Sequence, residues 1–215
     1  MRAQKGGEVR TFREVTVAVL MWPLFAWSQT SERPGPGRPV ETVFGIGIGV
    51  PLTLPECPIS RDGRYEIGLP RSSCYRHIGA TRPGTQGSIE RSMTEMYFPM
   101  TERPAMGVNH YALILNGNVE RYQFSTLGIK YQESDLQQLN EKFGVPTVLS
   151  RPVVQTVGGA KFEAVEAIWT KQGYTVKFVS SSGRIDSGDV SIESDVAAEA
   201  ARKAHELRRS RERPL

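Results

Sequence analysis

The sequence predicts an α+β fold: an antiparallel β-meander with a helix packed on one face, a loop-rich first half stapled by a disulfide, and a helix at the C-terminal end. Three observations predict it. Asn116-Gly117 lies between two β-favouring runs, a strong hairpin signal because both residues accept the positive φ that a type I′ turn demands. Leu136, Leu139 and Phe143 follow at the spacing of one helical face. Much of the Gly and Pro, 21 and 14 in 215 residues, falls before residue 110, which leaves the regular structure to the second half.

Taken in chain order, residues 1–14 are polar and net basic, and Val15 to Trp27 is an apolar run. Ala26 and Ser28 place small residues at −3 and −1 of a cut before Gln29. A membrane anchor needs about 20 consecutive apolar residues, and this run is shorter and interrupted by Pro23. Residues 1–28 are therefore read as a cleavable signal peptide, with no stable membrane anchor after cleavage. No Cys stands near the cut, so a lipid-modified N-terminus is not expected. Residues 29–40 (QTSERPGPGRPV) carry Pro, Gly and charge with almost no apolar content and read as a flexible linker.

The body, residues 41–193, is read as a single α+β domain. Its ETVFGIGIGVPLTLPE segment has Gly45, Gly47 and Gly49 in a G-x-G-x-G spacing, not the G-x-G-x-x-G of a dinucleotide site, and Pro51 and Pro55 block the helix that would receive a phosphate. A tight strand or turn is expected there. Cys57 and Cys74 are the only two cysteines. In an oxidising compartment such a pair forms a disulfide, worth about 3 kcal/mol by loop entropy. Residues 57–104 otherwise read as irregular. Met93, Met96 and Met100 stand at i, i+3 and i+7, the spacing of one buried helical face, and Met106 lies close by. Thioethers also suit Cu(I), so these methionines are core filler with metal binding as the alternative.

Strands are expected near 109–115 and 118–126. Ser134 and Gln137 resemble a capping box, and Gly144 with Pro146 ends the helix that carries the Leu136, Leu139, Phe143 stripe. Further strands are expected near 147–157, 161–170, 173–180 and 188–193. Residues 194–215 form a basic C-terminal helix and tail with the stripe Val196, Ala200, Ala204 and Leu207, rich in Ala and so with little to bury.

At Lys142-Phe143-Gly144-Val145-Pro146-Thr147, a helix that stops on F-G-x-P-T and runs into a meander, the chain resembles small exported modules of the β-lactamase-inhibitor-like and small outer-membrane assembly lipoprotein-like kind. The resemblance implies a helical segment paired with an antiparallel sheet and action by binding other proteins in the envelope or outside the cell. The chain departs from the lipoprotein pattern in lacking a lipobox. Gly49-Val50-Pro51-Leu52 echoes the motif, as a degenerate tandem of the module would.

The formal charge is +4, but residues 1–28 hold four basic and two acidic side chains and residues 202–213 hold six and two. The body between is near neutral, so a nucleic-acid partner is not expected. His77, His110 and His205 belong to no H-E-x-x-H, G-x-S-x-G or triad signature, and the Asp186 to Asp189 turn lacks the carboxylate ladder of a Ca²⁺ site. No cofactor is expected.

The function expected is an exported, periplasmic or extracellular, non-enzymatic binding or structural module for an envelope or secreted protein. A hydrolase with an unrecognised site and a copper carrier using Met93, Met96 and Met100 are the alternatives. The strand near 161–170 is apolar on both faces, and one short helix covers only one of them. Trp169, with Val165 and Tyr174, is therefore the expected partner surface, against the reading that they are ordinary core.

Overall fold

A computed structural model describes residues 42–67, 70–78 and 91–211. The expected signal peptide, the linker over 29–40 and the last residues of the basic tail lie outside the described residues. In chain order the elements are β1 (Cys74–His77), β2 (Arg91–Tyr97), β3 (Val108–Leu115), β4 (Asn118–Thr126), a 3-10 turn (Ile129–Tyr131) and α1 (Gln132–Phe143). There follow β5 (Val148–Ser150), β6 (Val153–Gln155), β7 (Lys161–Glu163), β8 (Glu166–Lys171), β9 (Tyr174–Arg184), β10 (Ser187–Ser194) and α2 (Asp195–Arg211). Among the described residues eight strands form one antiparallel sheet in the order β1-β2-β3-β4-β10-β9-β8-β5, and β6 and β7 pair as a separate two-stranded sheet.

The fold class is as the sequence predicts, and the hairpin signal holds in detail. Asn116 and Gly117 take φ of 50° and 83°, which turns β3 directly into β4. The sheet is two meanders set side by side: β4 does not pair with the next strand in the chain but with β10, from Thr126↔Gly188 to Arg121↔Glu193. Alternation then decides the layers. Tyr122, Phe124, Val190, Ile192, Val176, Phe178 and Trp169 share one face and are fully buried. Leu136, Leu139 and Phe143 of α1 and Val43, Ile46 and Ile48 of the first segment pack against them as one core.

That first segment is the G-x-G-x-G run, and it is a tight turn as expected. Val43 and Ile46 exchange backbone hydrogen bonds of 2.8 and 3.0 Å across Phe44 and Gly45, both at positive φ. The chain then runs beside β4, where Gly49 N–H donates to Val119 O at 2.7 Å and Val119 N–H to Val50 O at 2.8 Å. The Gly49-Val50-Pro51-Leu52 segment thus lies along β4, whereas the Gly144 to Thr147 segment meets β8, with Thr147 N–H donating to Ile168 O at 2.7 Å. β4 and β8 hold different places in their meanders, so the echo does not mark equivalent positions.

Cys57 and Cys74 form the disulfide, with Cα atoms 4.8 Å apart. Both are buried with Tyr65, and Ile67 and Tyr97 pack around them. The bridge holds the 55–57 segment along the outer edge of β1, where Cys57 N–H donates to Tyr75 O and Tyr75 N–H to Pro55 O at 2.8 and 3.0 Å.

Several expectations need correction. The stretch 57–104 is not wholly irregular, since it contributes β1 and β2. Because β2 is a strand, Met93 and Met96 point to opposite faces: Met96 enters the main core, Met93 packs against the α2 cluster, and Met100 is 80% exposed on the turn beyond. The helical stripe of methionines does not exist, because pairing with β3 overrides the i, i+3 spacing. The capping box is absent too. α1 begins at Gln132 after Tyr131 with no side-chain cap, and the Gln137 amide donates to Glu141 at 3.0 Å instead. The strand expected over 147–157 is split at Pro152 into β5 and β6, which belong to different sheets, and the one over 161–170 is split into β7 and β8.

At the C-terminal end, Ser194 caps α2 by accepting a hydrogen bond from Ala197 N–H at 3.0 Å, while its hydroxyl donates to buried Glu120. Ala197, not Val196, is the buried contact, packing with Leu113 and Leu115 and flanked by Met93 and Ala200. Val196 and Leu207 are exposed, so the helix docks by its first turns only.

Candidate functional site

Trp169, Val165 and Tyr174 are not a surface. Trp169 and Val165 are 0% exposed and Tyr174 is 9% exposed. Trp169 donates its indole N–H to Gly144 O at 2.8 Å, and its ring lies 6.2 Å from that of Phe143. Val165 N–H donates to Ser180 Oγ at 2.7 Å. The end of α1 and the glycine that stops it cover this face of β8, so the expected partner surface is corrected to core.

Unpartnered apolar side chains lie instead on and around β6 and β7. This two-stranded arm stands outside the main sheet, with Val154 and Phe162 as register partners on its inner, half-buried face. Val153 is 67% exposed, and Val157 at the tip is fully exposed. The tip is closed by Thr156 N–H to Ala160 O and Gly159 N–H to Thr156 O, both 2.9 Å. A two-stranded hairpin is marginal in water by itself, and this one is anchored at its root. Ala164 N–H donates to Pro152 O at 2.9 Å, and Gln132 Nε2 donates to Glu163 O at 3.0 Å. Gln132 Oε1 accepts from Val165 N–H at 3.0 Å and from Ser180 Oγ at 2.7 Å.

Two grooves open between the arm and the β9–β10 turn. One, of about 560 Å³, is lined by Val154 to Val157 and by Gly183 to Asp186. The other, of about 290 Å³, is lined by Leu127, Ile129, Lys130, Phe162, Ile185 and Asp186. Ile185 and Asp186 belong to both, so the grooves adjoin. Leu127, Val145, Val148 and Leu149 are further exposed apolar residues, the last two on β5, the edge strand beside β8. Two exposed ion pairs lie here. Arg151 holds Glu133 through hydrogen bonds of 2.6 and 2.9 Å, and the Arg184 guanidinium keeps the Asp186 carboxyl below its usual range. Such exposed pairs contribute little energy and orient side chains instead.

Of the histidines, His205 is exposed on α2 and His77 sits edge-on to Tyr75 at 5.4 Å. His110 is 5% exposed, with Nδ1 2.8 Å from the Tyr122 hydroxyl and its ring among Phe98, Tyr122 and Phe124. Burial, aided by the Arg103 cation and opposed by the Gly107 carbonyl, pushes its pKa down to about 4. Among the described residues no group of three His, Cys, Asp or Glu is placed to hold a metal, and no helix is long and apolar enough to cross a membrane.

The arm had a signal in the sequence. Pro152-Val153-Val154-Gln155 and Lys161-Phe162-Glu163 flank Gly158-Gly159, a hairpin pattern in its own right. It is obscured because the same residues also extend the neighbouring apolar runs. No protein-family model, curated protein or solved structure compared with this chain matches it significantly.

Proposed function

We propose that this chain is an exported, non-enzymatic protein-binding module and that the β6–β7 arm with the facing β9–β10 turn is its partner surface. One observation carries the reading: an apolar hairpin, pinned at its root, stands outside the main sheet with Val153 and Val157 exposed, while Val154, Val157 and Phe162 line two adjoining grooves. Exposed apolar groups on a rigid support are what a binding surface requires, since little ordering entropy is lost on contact. The disulfide agrees with an oxidising destination, and the resemblance at Lys142 to Thr147 points to the same class of action. A hydrolase reading has less support, because His110 is enclosed by aromatic rings and its Nδ1 is engaged by Tyr122.

The test is a photo-crosslinking residue at Val157 in the native envelope or culture medium, with the same residue at His205 as the control. A specific adduct at Val157 alone is expected, lost in the Val153→Ser/Val157→Ser protein while its melting temperature stays within about 2 °C, as for other exposed substitutions. Equal labelling at both positions, or capture that survives the double substitution, overturns the assignment.

A further inference from the structure

A second opening lies on the other meander, away from the arm. It is a small pocket of about 160 Å³ whose lining includes Glu95, Met96, Met100, Arg103, Asn109 and His110. Met96 and His110 are register partners on β2 and β3, so their side chains stand next to each other on the same face. Both are buried, at 3% and 5% exposure, while Met100 sits on the turn at the rim. Among the described residues His110 Nε2 is buried with no hydrogen-bond partner, in an interior where polar atoms are ordinarily paired. Its other nitrogen, Nδ1, meets the Tyr122 hydroxyl at 2.8 Å. When Nδ1–H donates to that hydroxyl, the lone pair lies on Nε2, the arrangement by which outer groups orient metal-binding imidazoles and the tautomer a metal at this site requires.

The donors gathered here are soft: one imidazole nitrogen and two thioether sulfurs. That set suits Cu(I) and is poor for Mg²⁺ or Ca²⁺, which take oxygen ligands. The chain has only two cysteines, and both are in the disulfide, so no thiolate competes for the ion. We infer that His110 Nε2, Met96 Sδ and Met100 Sδ form a binding site for a soft monovalent metal ion, Cu(I). Met93, on the opposite face of β2, takes no part.

Ag(I), a redox-inert stand-in for Cu(I), is titrated into the full chain and followed by methionine methyl and imidazole NMR. One equivalent is expected to shift the Met96, Met100 and His110 signals together, with Met93 unmoved. Met100→Leu, at an exposed position, is expected to lose binding without a change in melting, and Tyr122→Phe to weaken it about 10- to 100-fold. No shift at His110 with one equivalent, or Ag(I) affinity unchanged by Met100→Leu, overturns the site. So does binding that follows His77 or His205, or equal affinity for Zn²⁺.

Discussion

Trp169 occupies the position with the most at stake energetically: fully buried, hydrogen bonded through its indole to Gly144 O, and against Phe143. Trp169→Ala removes a large buried side chain and is expected to cost about 3–5 kcal/mol, read as a lowered urea midpoint. Folded Trp169→Ala protein keeps whatever partner binding the arm supports, because the two do not share a surface. His110 predicts a pH dependence. Its native pKa is near 4 against 6.5 for the free side chain, so the unfolded chain binds the proton first. Stability from this residue is complete above about pH 6.5 and falls on acidification toward pH 4, by on the order of 2–3 kcal/mol. Asp135 acts with the opposite sign. Burial raises its carboxyl to about 6, partly offset by the Thr126 hydroxyl, so it weakens the fold as pH rises from 3.8 through 6. Urea unfolding at pH 7.5 and 4.5 separates them: His110→Gln flattens the acid loss, and Asp135→Asn raises stability at pH 7.5.

At the scale of elements, the disulfide and the arm make separable claims. Replacing both Cys57 and Cys74 by Ser is expected to cost about 3 kcal/mol and to increase amide exchange first at Cys57 and Tyr75, where the 55–57 segment closes the β1 edge. Unchanged exchange there would show that the segment holds without its staple. Elements stabilised by local chemistry were legible in the sequence. The Asn116-Gly117 turn needs only its own two dihedrals, and the Leu136, Leu139, Phe143 stripe needs only helical spacing with Gly144 to stop it. β1 and β2 were not legible, because their strand state comes from pairing in register with each other and with β3, and the methionine spacing imitates a helix. β5 and β6 read as one strand because an apolar run looks the same whether or not Pro152 turns it out of the sheet. Of the candidate site, the Gly158-Gly159 hairpin signal was present, and the copper alternative reached Met96 and Met100 without the histidine that joins them.

For the whole molecule, the proposed export gives a direct check: the mature protein is expected to begin at or within a residue or two of Gln29 by N-terminal sequencing, and an intact Met1 on exported protein would refute it. The sequence by itself determined the α+β class, the β3–β4 hairpin, the α1 stripe and the cysteine pairing, since each depends on turn dihedrals, short-range spacing or the parity of two thiols. Only the tertiary structure decided that β4 pairs with β10, that α1 and not a partner covers Trp169, and that β6 and β7 leave the sheet as an exposed arm. Those outcomes are set by which of several apolar surfaces can be buried together. The run 161–170 shows why a one-dimensional pattern cannot rank them: read as one strand it carries apolar side chains on both faces, and the break between β7 and β8 together with the cover of α1 puts Ala167 and Trp169 inside.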